Sequence, residues 1–200
     1  MIKYFLLTWK NTAGAGVSAF PRNYVGLAQD LARSLVNSSE LPFDLILVKL
    51  TPHRNGLDES SDLSGLRDAW PDYMPNRFAW PLCSAKLREV ISRHLIHDEG
   101  LNWIPAKISG AGETREYYIA RFDTMHDVLD NEKTTYVPET THIIRPWFSI
   151  AKVNGLSIFP KPSDFDLWRI TSSIFIRDSL KREIVNAGIT GVAFEQAHIS

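Results

Sequence analysis

The chain has 200 residues, of which 44% are hydrophobic and 22% charged, and its net charge is −1. This composition is that of a folded globular protein, and the near-zero charge excludes a broad, non-specific polyanion binder, which needs a surplus of lysine and arginine. Cys83 is the only cysteine, which excludes an intramolecular disulfide and the disulfide-framework class of secreted proteins.

The N-terminal segment predicts a buried strand rather than a signal peptide. Residues 3–9 form an apolar, aromatic run that Lys10 closes, and no small-residue cleavage site follows closely. No stretch of the chain approaches the roughly 18 apolar residues of a membrane span. We therefore expect a cytoplasmic protein that does not contact a membrane.

The first quarter of the chain predicts a β-α-β order. Residues 11–16 are small and glycine-containing, which predicts a loop. Apolar residues at helical spacing then predict a helix that starts near Asn23, a candidate N-cap. Residues 43–50 are an apolar run with charges only near the ends, which predicts a strand.

Residues 51–76 differ from the segments on either side because they are rich in proline, glycine and serine. This pattern predicts one long loop, and loops of this length are usually functional or disordered. Leu63, Leu66 and Trp70 could form a single short amphipathic helix inside it.

The middle of the chain predicts a helix followed by a hairpin. Ser84 is a candidate N-cap for the helix, and Gly100 is expected to end it. Residues 101–108 and 115–122 are strand-like and flank a glycine-rich turn, which predicts two antiparallel strands.

The last third predicts short strands and one more helix. Further strands are expected at the following segments: 134–137, 147–153, 156–159, 167–170, 174–176 and 189–194. Asn154-Gly155 favours a type I′ hairpin turn. The last helix is expected from about Asp178 to just before Gly188, with Trp168 and Phe194 buried beside it.

These elements predict one α+β domain over residues 1–200. It has a mixed or antiparallel sheet and about three main helices, and it could divide into two lobes near the long loop.

Cys83 and the histidines are the candidates for catalysis. Cys83 stands just before a predicted helix N-terminus, where a thiol can become nucleophilic. No histidine is nominated as its base by spacing, so a buried, inert cysteine is the favoured interpretation. His94 and His97, with Asp98 and Glu99, resemble a metal-ligand group. Their spacing is a weak signal, and a solvated helix end is favoured.

Other known motifs are missing or incomplete. Gly14 and Gly16 follow a strand but lack the third glycine of a dinucleotide fingerprint. A P-loop, a nucleophile elbow and a zinc-protease motif do not occur. We therefore predict no catalytic, cofactor-binding or metal-binding residues and no cofactor.

Residues 52–76 are acidic in a nearly neutral chain. Five carboxylates and two arginines give this segment a net charge of −3, against −1 for the whole chain. Aromatic side chains anchor interfaces and charge steers encounter, so the segment predicts a surface for a basic protein partner. The predicted contacts are Asp58, Glu59, Asp62, Asp68, Trp70, Asp72 and Tyr73. The alternative is a solvated loop whose aromatics pin it to the body.

The C-terminal order Gly188-Ile189-Thr190-Gly191, with Phe194 three residues later, resembles a known family. It is similar to the α+β immunity proteins of bacterial polymorphic toxin systems, whose members end in Gly-(Leu/Ile)-Thr-Gly-x-x-Phe. The similarity spans roughly residues 78–196. In physical terms, Gly188 permits the helix exit, Gly191 permits a close backbone approach, and Phe194 fills the core.

The resemblance implies a non-catalytic protein that binds a cognate toxin and covers its active site or substrate entrance. The expected partner is that toxin, with no nucleic acid and no membrane, and its target would be cytoplasmic, such as nucleic acid or a nucleotide cofactor. Two alternatives remain open: a small cytoplasmic hydrolase or transferase that uses Cys83 or a histidine, and a general adaptor or scaffold protein.

Overall fold

The computed structural model describes residues 2–10, 14–24, 26–97, 99–163 and 166–200. Within these residues, the helices are α1 (Ala28–Ser34), α2 (Ala85–Arg93), α3 (Ile150–Val153) and α4 (Asp178–Asn186). The strands are β1 (Tyr4–Trp9), β2 (Gly16–Pro21), β3 (Leu45–His53), β4 (Gly56–Ser60), β5 (Tyr73–Met74), β6 (Leu82–Ser84), β7 (Leu101–Gly110), β8 (Glu113–Phe122), β9 (Thr135–Tyr136), β10 (Ile143–Arg145), β11 (Ile158–Pro160), β12 (Ile174–Arg177) and β13 (Val192–Gln196). The predicted α+β class with three main helices is confirmed.

The larger sheet is mixed and has the strand order β2-β3-β7-β8-β6-β5, with β4 also paired to β3. Among the strand pairs of this sheet in the described residues, only β3–β7 is parallel. The β7–β8 hairpin confirms the predicted one and runs in register from Leu101 opposite Phe122 to Gly110 opposite Glu113. Ala111 and Gly112 between them both have positive φ, as a type I′ turn requires.

The smaller sheet is antiparallel, with the order β11-β12-β1-β13. Its central strand β1 comes from the N-terminal region, and the edge strand β13 comes from the C-terminal region. The two end regions of the chain are therefore joined by β1–β13 backbone pairing. β9 and β10 form a separate two-stranded sheet.

Three buried clusters hold the layers together. The first core includes Leu31, Leu35, Leu47, Trp80, Ile104, Ile108 and Ile119. The second core includes Leu7, Tyr73, Cys83, Leu87, Ile91, Phe122, Trp168, Ile176, Leu180 and Ile184. The third core includes Tyr4, Val128, Phe148, Val153, Phe159 and Phe175.

Side chains along a strand point alternately to its two faces, and this alternation shows which cores lie on either side of each main sheet. In β8, Ile119 belongs to the first core and Phe122 to the second. In β1, Leu7 belongs to the second core and Tyr4 to the third. Because alternate side chains point to opposite faces of a sheet, each sheet separates two cores. The second core, with α2 and α4, therefore lies between the two sheets.

The N-terminal part differs from the prediction in three places. Residues 16–21 form a strand, β2, that was not predicted, while Asn11–Ala13 of the expected loop lie outside the described residues. α1 begins at Ala28, and its N-cap Leu27 makes no side-chain hydrogen bond, so Asn23 is not the cap. β3 continues to His53 and pairs with β4, so the first part of the predicted loop is a hairpin. Asn55-Gly56 was the available turn signal for it.

Other differences arise where tertiary packing replaced the local pattern. Leu63, Leu66 and Trp70 do not form a helix but pack, partly buried, on the first core. Within residues 147–153, the chain forms the short helix α3 rather than a strand. Asn154 has φ −55°, so the predicted type I′ turn, which needs positive φ, is wrong.

The predictions about α2, about α4 and about the residues beside α4 have different outcomes. α2 begins after Ser84, as predicted, but ends at Arg93, well before Gly100. α4 ends just before Gly188, whose φ is +64°, as the helix-exit interpretation requires. Trp168 is buried, as predicted, although residues 167–170 are not a strand. Phe194 is only partly buried, because β13 is an edge strand of the smaller sheet.

Candidate functional site

Two of the predicted contact residues lie on an exposed hairpin, which we call the arm and define as residues 51–60. Residues 51–59 are all exposed, because β3 extends here beyond the part that pairs with β2 and β7. Asp58 has a side chain that is 75% exposed and lies 3.3 Å from His53 Nε2 through its Oδ1 atom. Glu59 stands opposite Leu50 in the β3–β4 ladder. The arm therefore presents both carboxylates to solvent.

Asp62 and Asp68 follow the arm and are also exposed. The Ser64 backbone N–H donates to Asp62 Oδ1 at 2.9 Å, and the Ser64 hydroxyl donates to Oδ2 at 2.8 Å. These hydrogen bonds, the backbone one foremost, lower the pKa of Asp62 below its usual value. Asp68 Oδ1 accepts the Trp70 backbone N–H at 2.9 Å. Both carboxylates shape their local turns while they remain on the surface.

Asp72 joins three distant parts of the chain. Its Oδ2 atom accepts the Thr190 backbone N–H at 2.9 Å, and its Oδ1 atom accepts the Ser84 hydroxyl at 2.6 Å. The Ser84 hydroxyl oxygen also accepts the Leu87 N–H and caps α2. Asp72 thus connects the segment before β5 to the start of α2 and to the Gly188–Gly191 turn.

Trp70 and Tyr73 are turned toward the interior. Trp70 is partly buried on the first core, and its ring stacks on Tyr117 with centroids 6.2 Å apart. Its indole Nε1 is buried with no hydrogen-bond partner among the described residues. Tyr73 is fully buried and stacks on Trp9 at 5.8 Å. This geometry supports the alternative in which the aromatics pin the segment to the body.

The environment of Cys83 does not favour nucleophilic chemistry. Cys83 is the middle residue of β6, and its side chain is buried in the second core. Burial raises the pKa of the Cys83 thiol, and the charge of Asp72 raises it further. A reactive cysteine needs the opposite, namely a lowered thiol pKa and access to a substrate. Cys83 therefore acts as a small apolar side chain of the core.

The residues of the candidate metal-ligand group near the end of α2 each contact different partners. His94 Nδ1 lies 2.8 Å from the Val90 carbonyl oxygen, and its Nε2 lies 3.8 Å from Glu183. Glu99 is fully buried, where its Oε1 accepts the backbone N–H groups of Ile96 and Ser157. Asp98 lies outside the described residues. Among the described residues, no group of three histidine, cysteine or carboxylate side chains could hold a metal ion.

A cleft with a volume of about 510 Å³ opens beside the arm. It lies between the end of β4 and the tip of the β7–β8 hairpin, and its lining includes Arg22, Ser61, Gly110 and Glu113. Gly110 lets the hairpin tip approach β3, because a Cβ atom there would lie 2.7 Å from Leu47 Cβ. The cleft exposes the side of the larger sheet next to the arm.

The comparison with family models gives one finding. The family described as Immunity protein family (Imm11) matches residues 57–198, which is more than two thirds of the chain. The matched range includes β4 except for its first residue, Gly56, and all seven predicted contact residues. The comparison with curated proteins gave no match. Among the described helices, none is long and apolar enough to cross a membrane.

Proposed function

The chain belongs to the Imm11 immunity protein family, and from this premise we propose that it binds a cognate bacterial toxin and neutralises it. The family match over residues 57–198 is the observation that carries the proposal. Neutralisation follows from occlusion: the bound protein covers the active site or substrate entrance of the toxin, so it needs no chemistry of its own. The buried thiol of Cys83 is consistent with this mode of action.

We place the toxin contact on the exposed carboxylates of Asp58, Glu59, Asp62 and Asp68. Their exposure leaves them available to a basic surface, and clustered charge of one sign accelerates encounter with a partner of the opposite sign. Trp70, Asp72 and Tyr73 hold the segment after Asp68 to the body through the contacts described above. Asp68 accepts the Trp70 backbone N–H, so these contacts hold this carboxylate in place before binding, which lowers the entropy lost on association.

The proposal is tested by co-expression with the toxin encoded by the neighbouring gene. Cells that produce the toxin alone should stop growing, and cells that also produce this protein should grow, with the two proteins purifying together. The enzyme alternative is tested by Cys83→Ala, which should protect as well as the wild type does. Failure of the wild type to protect or to co-purify contradicts the proposal, whereas loss of protection in a folded Cys83→Ala variant favours the enzyme.

A further inference from the structure

The pairing of β2 with β3 determines which way the backbone groups of β3 point. The Arg22 N–H donates to the Asp44 carbonyl at 3.0 Å, one position beyond the Pro21–Leu45 pair. In an antiparallel ladder, pairs that exchange hydrogen bonds alternate with pairs that do not. The even-numbered residues of β3 therefore direct their N–H and C=O groups to β2, and the odd-numbered residues direct theirs to the other side, where β4 lies.

The same alternation fixes the backbone of β4. Thr51 faces Asp58 and His53 faces Gly56 as hydrogen-bonded pairs, because Thr51 and His53 are odd-numbered. Pro52 stands opposite Leu57, and its missing N–H removes no β3–β4 hydrogen bond, since this pair is not hydrogen-bonded. The N–H and C=O groups of Leu57, and likewise those of Glu59, therefore point away from β3.

The outward edge of β4 is open. Among the described residues, no strand pairs with β4 other than β3, and no backbone hydrogen bond outside the ladder involves Leu57 or Glu59. Leu57 is 57% exposed beside this edge. Unpaired strand edges are templates for pairing with another chain, and an exposed apolar side chain adds a contact for that chain.

The charges on β4 identify the kind of chain that fits. In an antiparallel pairing of two copies centred on this edge, Asp58 would lie opposite Asp58, and each Glu59 opposite Leu57 of the other copy. Like charges that face each other across strands are destabilising, so the edge disfavours a second copy of this protein. Asp58 and Glu59 are consecutive, so their side chains point to opposite faces of β4. A partner strand with lysine or arginine on both faces would gain from both carboxylates.

We propose that the open edge of β4 binds an extended, basic segment of the toxin as an additional antiparallel or parallel strand. This inference rests on the proposed function and specifies its mode of binding. The backbone groups of Leu57 and Glu59 supply the hydrogen bonds, and the Leu57 side chain packs against the incoming strand. The carboxylates of Asp58 and Glu59 select a basic segment.

The variant Leu57→Pro tests the proposal, with Leu57→Ala as its matched control. Both substitutions remove the exposed leucine side chain. Only proline also removes the outward N–H, and its ring occupies the position of the amide hydrogen. Proline is tolerated where the N–H faces away from the sheet. Leu57→Pro should therefore weaken binding of the neighbouring-gene toxin about tenfold relative to Leu57→Ala, the effect of about one lost hydrogen bond.

Hydrogen–deuterium exchange on the wild-type protein gives a measurement that does not depend on a variant. The amides of Leu57 and Glu59 should exchange quickly in the free protein and become protected in the toxin complex. Equal affinity of the two variants together with unprotected arm amides in a complex that does form overturns the strand-pairing mode alone. A concentration-dependent dimer of the free protein that Leu57→Pro abolishes overturns it in favour of self-pairing. Absence of any complex contradicts the proposed function itself.

Discussion

Gly191 occupies a position that no other residue can take without displacing its neighbours. Its φ is +76°, and a Cβ atom there would lie 2.7 Å from both Pro71 Cβ and the Tyr73 carbonyl oxygen. Gly188 has a similar φ of +64° but nothing within 4 Å of its Cβ position. Thr190, between them, is held by Asp72. A side chain at Gly188 would meet only backbone strain, whereas a side chain at Gly191 would meet the same strain and a steric clash.

We expect Gly191→Ala to destabilise the protein by about 3 kcal/mol, because left-handed strain and backbone crowding add. Gly188→Ala is the matched control and should lose only about 1 kcal/mol, the strain alone. Urea unfolding of the three proteins measures both differences. Equal losses in the two variants would show that the approach of Pro71 to Gly191 is not close in solution.

Tyr4 makes the free energy of unfolding decrease as the pH rises above about 10. Its buried hydroxyl contacts the carbonyl oxygens of Val153 and Leu156, and burial raises the pKa of Tyr4 from 10.0 to about 12. Above about pH 10 the unfolded chain releases this proton while the folded protein retains it. The stabilisation is therefore complete below about pH 10 and is lost between about pH 10 and pH 12.

We expect Tyr4→Phe to be about 1 kcal/mol less stable than the wild type at pH 8 because it loses a buried hydrogen bond. At pH 11 this gap should shrink by about 1 kcal/mol, since only the wild type has lost part of the Tyr4 contribution. Urea unfolding of both proteins at the two pH values gives the comparison. The other buried tyrosines titrate in both proteins and cancel. A difference in stability between the two proteins that stays constant with pH would contradict a raised pKa of Tyr4.

At the scale of elements, the segment between β4 and β5 lacks regular structure but is still held firmly. Leu63, Leu66 and Trp70 pack on the first core, and the Arg115 guanidinium lies 4.7 Å from the centre of the Trp70 ring. Asp68 and Asp72 fix the backbone on either side of Trp70. Side-chain burial therefore replaces the helix that the leucine spacing predicted.

Trp70→Ala distinguishes a structural pin from a toxin anchor. We expect the free protein to lose about 2–3 kcal/mol of stability, less than a fully buried tryptophan would lose. The dissociation rate of the toxin should change little once the variant is folded. Thermal unfolding and the off-rate, measured on the same preparation, separate the two roles. Normal stability with much faster dissociation would make Trp70 a direct contact.

At the scale of the whole molecule, the exposed acidic residues do not follow the layered arrangement of the sheets and cores. The cores follow the order first, second, third through the two sheets, whereas the four exposed carboxylates lie on the arm and on the segment that follows it. β1, the central strand of the smaller sheet, lies outside the matched range of residues 57–198. The N-terminal region therefore supplies a central strand to a sheet whose other strands lie in the matched range.

Reversing Asp58, Glu59 and Asp62 to lysine should slow toxin association about tenfold at low salt, with a smaller effect on dissociation. The difference should fade as salt shortens the range of the charges. Reversal of Glu132, Glu139 and Glu195, which are exposed on other parts of the protein, changes the net charge equally and is the control. Association rates across a salt series provide the test, and equal slowing by both triple variants would remove the arm from the binding surface.

Much of this architecture was readable from local patterns. Ser84 predicted the start of α2, the paired runs on either side of the glycine-rich turn predicted the β7–β8 hairpin, and Gly188 predicted the end of α4. Each of these signals is a property of the backbone over a few residues, and at these three positions the tertiary structure preserves it, whereas it overrides the similar signals at Asn23 and Asn154. The acidic bias of the segment around Trp70 was equally visible, because charge is counted directly from the sequence.

The sequence by itself determined the α+β class, the main helices and the position of the acidic segment, since these depend on periodicity, capping and composition. Only the tertiary structure decided that Tyr73 is buried, that Asp72 binds Thr190 far along the chain, and that the backbone of Leu57 faces outward. These facts depend on which strands pair and in which register. Contacts between segments that are apart in the chain, from β2 and β3 to Asp72 and Thr190, leave no periodic trace in either segment, so no local pattern could reveal them.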